Sequence, residues 1–329
     1  MQTPKEAFLA ALRGEPHDFL PEPYGVMKDV VFPGDRYIEL GDKFDPYGTG
    51  PDAWGVLWTN QGPMPAVDGN MVAKDFKLFE DVEDWKEHVK FPPLDYMPIG
   101  DIFAGMCAGM GVNPETDVVS CLLLSGAFER LNQMVGMETA LCAFYECPDE
   151  MKEFLEAMCE YKLKCIDKAV EFLHPDVIHM HDDWGAEANM MFSPELWREF
   201  IKPLEKRYAD HIHELGLVYV HHSCGFIEQI IPDLIEIGVD AIEPMMTTNN
   251  MEELLEKYGD KITFMGGLDN RILDGEYSTP EQIIGEIHGA IDKYLDKGRY
   301  IPYYISAKAE RWFMYMAECA KYLAEKTMK

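Results

Sequence analysis

From residue 117 onward the chain alternates short apolar runs with amphipathic helical stretches, and each apolar run ends in polar residues or glycine. This rhythm excludes most folds, because short buried strands separated by helices must lie parallel in one sheet with the helices packed on it. The strands are expected at Asp117–Leu124, Val177–Met180, Leu217–Val220, Val239–Ile242, Lys261–Met265 and Arg299–Ile301. Between them Met151–Leu173 carries Phe154, Met158, Cys165, Ala169 and Leu173 at helical spacing. Pro194–Leu215, Phe226–Ile237, Met251–Tyr258, Pro280–Leu295 and Ala307–Lys326 are the other helices of the series. Units recurring at such even spacing favour a closed (β/α)8 barrel over an open sheet, and no glycine-rich phosphate fingerprint follows a strand.

The first hundred residues differ. They are rich in Pro, Gly and aromatics, as in Phe44-Asp45-Pro46-Tyr47-Gly48 and Asp52-Ala53-Trp54-Gly55. No linker separates them from the rest. They are therefore read as a lobe (1–100) covering the mouth of a single barrel domain (1–329), whose main repeat runs over 117–329. Thr3-Pro4-Lys5-Glu6 is a capping box that opens a helix over Ala7–Leu12, ended by Gly14.

Charge narrows the partners. With 29 Lys+Arg against 59 Asp+Glu, the net charge is −30. That excludes a nucleic-acid backbone and an anionic membrane surface as partners. No secretory leader or membrane span is legible, which points to the cytoplasm. The eight cysteines follow no disulfide framework and read as buried apolar residues, with Cys224 as the exception.

In a barrel the chemistry sits where strands end. His181, Asp182 and Asp183 follow one strand, His222 and Cys224 the next, and then come Glu243, Asp269, and Tyr303 with Tyr304. A strand-end Asp can equally cap the next helix. In His222-Ser223-Cys224 the first and third residues point the same way, so an imidazole and a thiolate can reach one zinc ion. The alternative is a buried thiol beside a hydrogen-bonded histidine.

Asp182-Asp183-Trp184-Gly185, Ser193-Pro194-Glu195-Leu196-Trp197, His222-Ser223-Cys224-Gly225, Gly238-Val239-Asp240-Ala241-Ile242 and Gly266-Gly267-Leu268-Asp269 resemble the motifs of the uroporphyrinogen decarboxylase superfamily, in order, over about residues 117–300. The resemblance implies a single (β/α)8 barrel. It also implies one of two chemistries: decarboxylation of a polycarboxylated tetrapyrrole by an arginine cluster, or zinc-dependent methyl transfer with a corrinoid protein. The decarboxylase run near the N-terminus is of the R-Q-A-G-R type, whereas Glu22-Pro23-Tyr24-Gly25-Val26-Met27-Lys28 contains no Arg, and the whole chain has eight. The methyltransferase branch is therefore expected, with zinc held by His222 and Cys224.

That branch's third ligand, a Cys near the last strand, is replaced here by Tyr303 and Tyr304, and Glu243 is the substitute considered. A carboxylate in place of a thiolate makes a harder Lewis acid, which suits an oxygen leaving group better than a thiol acceptor. The expected reaction moves a methyl group from a small methylated compound, preferably a methoxylated aromatic, to the cob(I)amide of a corrinoid-binding protein. Asp182, Tyr303 and Tyr304 are the candidate catalytic residues. Trp54, Trp58, His181, Asp183 and Asp269 are the candidate substrate-binding residues. A thiol methyltransferase, a decarboxylase and a metal-free partner-binding barrel are the alternatives.

Overall fold

The computed structural model describes residues 1–36, 49–60, 70–305 and 308–328. Its strands are β1 (Met27–Val31), β2 (Gly50–Pro51), β3 (Leu57–Asn60), β4 (Asn70–Val72), β5 (Val118–Leu123), β6 (Val177–His181), β7 (Val218–His222), β8 (Ala241–Met245), β9 (Thr263–Gly267) and β10 (Tyr300–Tyr303). Seven of them form one parallel sheet in the order β1-β5-β6-β7-β8-β9-β10, and the helices pack around it. This is the expected α/β barrel architecture, with seven hydrogen-bonded strands among the described residues. Tyr24 spans the two ends of the ladder: its ring stacks on Tyr303 at 5.1 Å, and its hydroxyl donates to the Tyr304 carbonyl at 2.9 Å.

β6 starts with its apolar run at Val177, β7 to β10 start one or two residues later than theirs, and all five continue into the residues behind the run. His181, His222 and Glu243 are thus strand residues. The ladder continues through them because neighbouring strands keep supplying backbone partners: His181 registers with His222, and His222 with Glu243. The alternation of a strand then decides direction. His222 and Glu243 face the barrel interior, whereas His221 faces outward, stacking on Trp184 at 4.2 Å. Its Nδ1 lies 3.0 Å from the Tyr219 hydroxyl.

The expected covering lobe needs correction. The first helix spans Pro4–Arg13 with the capping box as read, but it lies across the N-terminal ends of the strands. There Thr263 Oγ1 donates to the Ala11 and Leu12 carbonyls, and Lys5 pairs with Asp176 at 2.7 Å. Its buried face (Ala7, Phe8, Ala11, Leu12) closes that end of the barrel. Met27–Val31 is a strand of the sheet itself, paired with β5. Strands β2 to β4 form a separate antiparallel sheet. Phe44–Gly48 lies outside the described residues. No helix among the described residues is long and apolar enough to cross a membrane.

Candidate active site

The interior of the sheet near its C-terminal ends carries a run of hydrogen-bonded ionisable side chains. His179, two residues before His181 on β6, lies between Asp29 of β1 and Glu243 of β8. Its Nδ1 is 3.2 Å from Asp29 Oδ1 and its Nε2 is 2.8 Å from Glu243 Oε1. The same Glu243 oxygen meets His222 Nδ1 at 2.6 Å. Burial opposes charge on His179, but the bonds to Asp29 and Glu243 outweigh it and hold the ring up at about 9. Burial would raise Glu243, yet the two imidazoles keep its carboxyl well below the usual range. Its second oxygen, Oε2, is buried with no hydrogen-bond partner among the described residues.

His222 Nε2 points the other way, 3.4 Å from Cys224 Sγ. For a tetrahedral ion with ordinary Zn–N and Zn–S bonds the two donors would sit about 3.5 Å apart. The pair therefore fits one zinc ion, with a carboxylate orienting the far nitrogen of the ligating ring, the usual support for such a histidine. Burial pushes the Cys224 thiol up and the neighbouring His222 draws it back down. Cys224 is held by its own backbone: its N–H donates to Asp183 Oδ1 at 2.7 Å. That contact needs the loops after β6 and β7 to touch. A Cβ on Gly185 would lie 2.4 Å from the Cys224 carbonyl oxygen, and Gly225 adopts φ +79° against Gly185. Only glycines permit this approach.

Glu243 is not on the Cys224 side of His222. One ion cannot take both His222 Nε2 and the Glu243 oxygen bonded to Nδ1, because the two ring nitrogens point apart. Glu243 is corrected from third ligand to the residue that orients His222. Neither three-donor group among the described residues, His179/His222/Glu243 or His181/Asp183/His222, includes Cys224. Asp183 Oδ1 does approach His222 Nε2, at 3.6 Å.

Several other expected site residues are occupied elsewhere. Asp182 accepts from the Phe128 and Glu129 N–H groups at 3.2 and 2.8 Å, at the start of helix Ala127–Val135. Burial, then the Glu129 charge, raises its carboxyl, and its role is capping rather than catalysis. Asp269 caps helix Asn270–Leu273 and pairs with Arg271 at 2.7 Å. Trp54 is buried against Tyr161 and Phe91, and Trp58 Nε1 donates to Asp52 Oδ2 at 2.9 Å. Both belong to the packing of the N-terminal segment and not to a substrate pocket. Tyr304 turns outward and its hydroxyl donates to Asp274 at 2.7 Å, because adjacent strand residues face opposite ways.

Three expected residues do gather at the site. Tyr303 points inward; burial, then Tyr24, Glu243 and Asp29, keeps it a neutral phenol. His181 stacks on His222 at 4.0 Å while its Nδ1 meets Glu129 Oε2 at 2.8 Å. Asp183 braces Cys224, as described. The reading from sequence missed Asp29, Glu129, His179 and Tyr24. His179 was legible as the residue two before His181 on one strand face. Asp29 and Glu129 carried no local signal.

Residues 112–302, more than half of the chain, match the family described as uroporphyrinogen decarboxylase (URO-D). A uroporphyrinogen decarboxylase of Synechococcus sp. (strain CC9605) is 25% identical over 222 residues, covering 59% of this chain and 61% of the relative. One from Parasynechococcus marenigrum (strain WH8102) is 24% identical over the same shares of both chains. The match thus spans about three-fifths of these relatives' length. A methyltransferase from Methanosarcina mazei superposes with a TM-score of 0.68 at 16% identity, covering 98% of this chain and 99% of that one, which is a likeness of fold. With the motifs, the parallel barrel and the strand-end site in agreement, the chain belongs to the uroporphyrinogen decarboxylase family.

Proposed function

We propose that this protein is a methyltransferase of the family. In this reading it moves a methyl group from a small methylated compound, preferably a methoxylated aromatic, to the cob(I)amide of a corrinoid protein docked over the strand-end rim. The observation that carries the reading is the His222–Cys224 pair, with donors 3.4 Å apart and the far ring nitrogen on a carboxylate. Residues His222 and Cys224 would hold zinc, which supplies Lewis acidity to the leaving oxygen when bound.

The rest is the work of this chain's side chains. The methyl–oxygen bond breaks with its electron pair left on oxygen, so negative charge develops there. The Tyr303 phenol, buried and neutral, is the group suited to donate a hydrogen bond to that oxygen. Glu129 holds His181 against His222, which fixes one wall of the site. Cys224 is the thiol that lies against His222 among the described residues, whereas Cys319 lies buried in helix Ala309–Thr327, bonded to the Tyr315 hydroxyl at 3.7 Å. A single thiolate favours an oxygen leaving group over a thiol acceptor.

Decarboxylation of a polycarboxylated tetrapyrrole draws no support from the site. Asp29, Glu129, Asp183 and Glu243 line it, and the arginines whose partners are described bond elsewhere: Arg130 to Asp52, Arg198 to Asp233, Arg207 to Glu156 and Glu160, Arg271 to Asp269, and Arg311 to the Ser278 carbonyl. A polyanion entering there would meet like charge.

The test is anaerobic incubation of zinc-loaded protein with methoxylated aromatics and cob(I)alamin, followed by the change in cobalamin absorbance. Demethylation is expected, and its loss in Cys224→Ala. Release of CO2 from uroporphyrinogen would overturn the reading. Failure of the purified protein to bind zinc would leave the metal-free barrel.

A further inference from the structure

Three carboxylates of the candidate site remain partly open to solvent. The side chains of Asp29, Glu129 and Asp183 are 21%, 15% and 28% exposed, whereas Glu243 is 1% exposed. The ion pairs described for all four are with the rings of His179, His181 and His222, not with lysine or arginine. Beside them stands an aromatic wall. Tyr303 points inward and stacks on Tyr24 at 5.1 Å, and Trp312, in the first turn of helix Ala309–Thr327, meets Tyr24 edge-on at 5.1 Å. Burial, and after it the charges of Glu243 and Asp29 among other neighbours, keeps both phenols neutral, so wall and carboxylates adjoin.

From this pairing of an aromatic face with acid side chains we infer that the methyl donor is a methoxylated arene without a carboxylate, and that the site rejects carboxylated arenes by charge. The inference rests on the reading of the site as one for methoxylated aromatics and narrows that class. An aromatic face attracts an uncharged ring or a cation, and supplies no counter-ion to an anion. A carboxylate on the ring would give up its water to enter beside fixed charges of its own sign. With the methoxyl oxygen turned to His222 and Cys224, the far edge of the ring has Asp29, Glu129 and the aromatic wall for neighbours. A hydroxyl or an ammonium group at that edge finds acceptors there, and a carboxylate finds none of its donors.

The test compares vanillyl alcohol, vanillylamine and vanillate, which share one methoxylated ring and differ in the charge of one substituent. Binding to the zinc-loaded full chain is measured by calorimetry. Vanillate is expected to bind at least about tenfold more weakly than the alcohol, and the amine at least as tightly as the alcohol. Glu129→Gln and Asp29→Asn each remove a charge and keep an oxygen for the histidine. Each is expected to narrow the alcohol-to-vanillate ratio by about threefold, and added salt to narrow it further. If one variant does not fold, the other decides. Vanillate binding as tightly as the alcohol would overturn the proposal, as would a ratio that neither variant changes. An amine as weak as the acid would assign the rejection to size and overturn it too, and so would failure of all three to bind. Demethylation is followed in parallel by cobalamin absorbance. If the alcohol binds with the expected preference and is not demethylated, the methyl-transfer reading fails while the charge selection stands. If vanillate is demethylated as readily as the alcohol, the reverse holds.

Discussion

Two of the charge clusters buried among the described residues are finished differently. In the N-terminal segment Asp52 is saturated. Its Oδ1 accepts from the Trp54 and Val56 N–H groups at 2.9 Å each, and its Oδ2 accepts from Trp58 Nε1 at 2.9 Å and from Arg130 at 2.7 Å. In the barrel Glu243 takes two imidazoles on one oxygen and leaves the other bare. Both carboxylates are out of water. A buried ionic group with every lone pair met is a structural knot, whereas one left partly open beside a thiol and a second histidine has capacity to spare for a ligand. Saturation, rather than burial or charge, distinguishes scaffold from site here.

The largest expected effect breaks the saturated knot. Arg130→Met leaves Asp52 charged and buried, and should lower unfolding free energy by about 3–5 kcal/mol in urea titrations. Zinc affinity per folded molecule should not change. If it falls with stability, the two clusters are coupled and the contrast is wrong.

The barrel cluster should instead show itself through pH. His179 rises from 6.5 to about 9 on folding, so the folded state binds the proton more tightly. Its contribution, about 3 kcal/mol at most, is fully present below pH 6.5 and is lost as pH climbs to 9. Unfolding titrations across that window should show falling stability, with the slope flattened in His179→Gln. A slope retained in the variant would assign it to other groups.

Next in size is Cys224→Ala. It should reduce zinc affinity by more than the roughly 100-fold reached by supporting residues, while stability stays within about 1 kcal/mol. Cys319→Ala, whose thiol meets the Tyr315 hydroxyl, should keep its zinc. Last, Trp58→Phe removes one of four bonds to Asp52 and should cost about 1–2 kcal/mol without touching metal binding. Altered zinc affinity there would return Trp58 to the site.

The site was legible in part, and the pattern of misses is physical. His222 and Cys224, singled out by the family resemblance, bring Nε2 and Sγ together because they leave one strand two residues apart, a relation set by local geometry. Glu243 was found as a residue but given the wrong role, since whether it meets the near or far nitrogen of His222 depends on the offset of β8 against β7. Asp182, Asp269 and Tyr304 occupy strand ends as the catalytic residues do. They differ from them only in what they touch: helix N–H groups, Arg271 and Asp274. Trp54 and Trp58 were read as pocket walls from composition, which carries no address.

By itself the sequence determined the alternation of strands and helices, the parallel sheet that follows from it, and the end of that sheet where polar residues collect. Those properties depend on period and on neighbours in the chain. Tertiary structure alone decided that helix Pro4–Arg13 closes the opposite end, that Met27–Val31 joins the sheet, and that Asp29 meets His179 across 150 residues of chain. Such pairings are selected by the closing of the barrel and the removal of water around the charges. No local pattern encodes either, because the partners share neither helix nor strand until the fold brings them together.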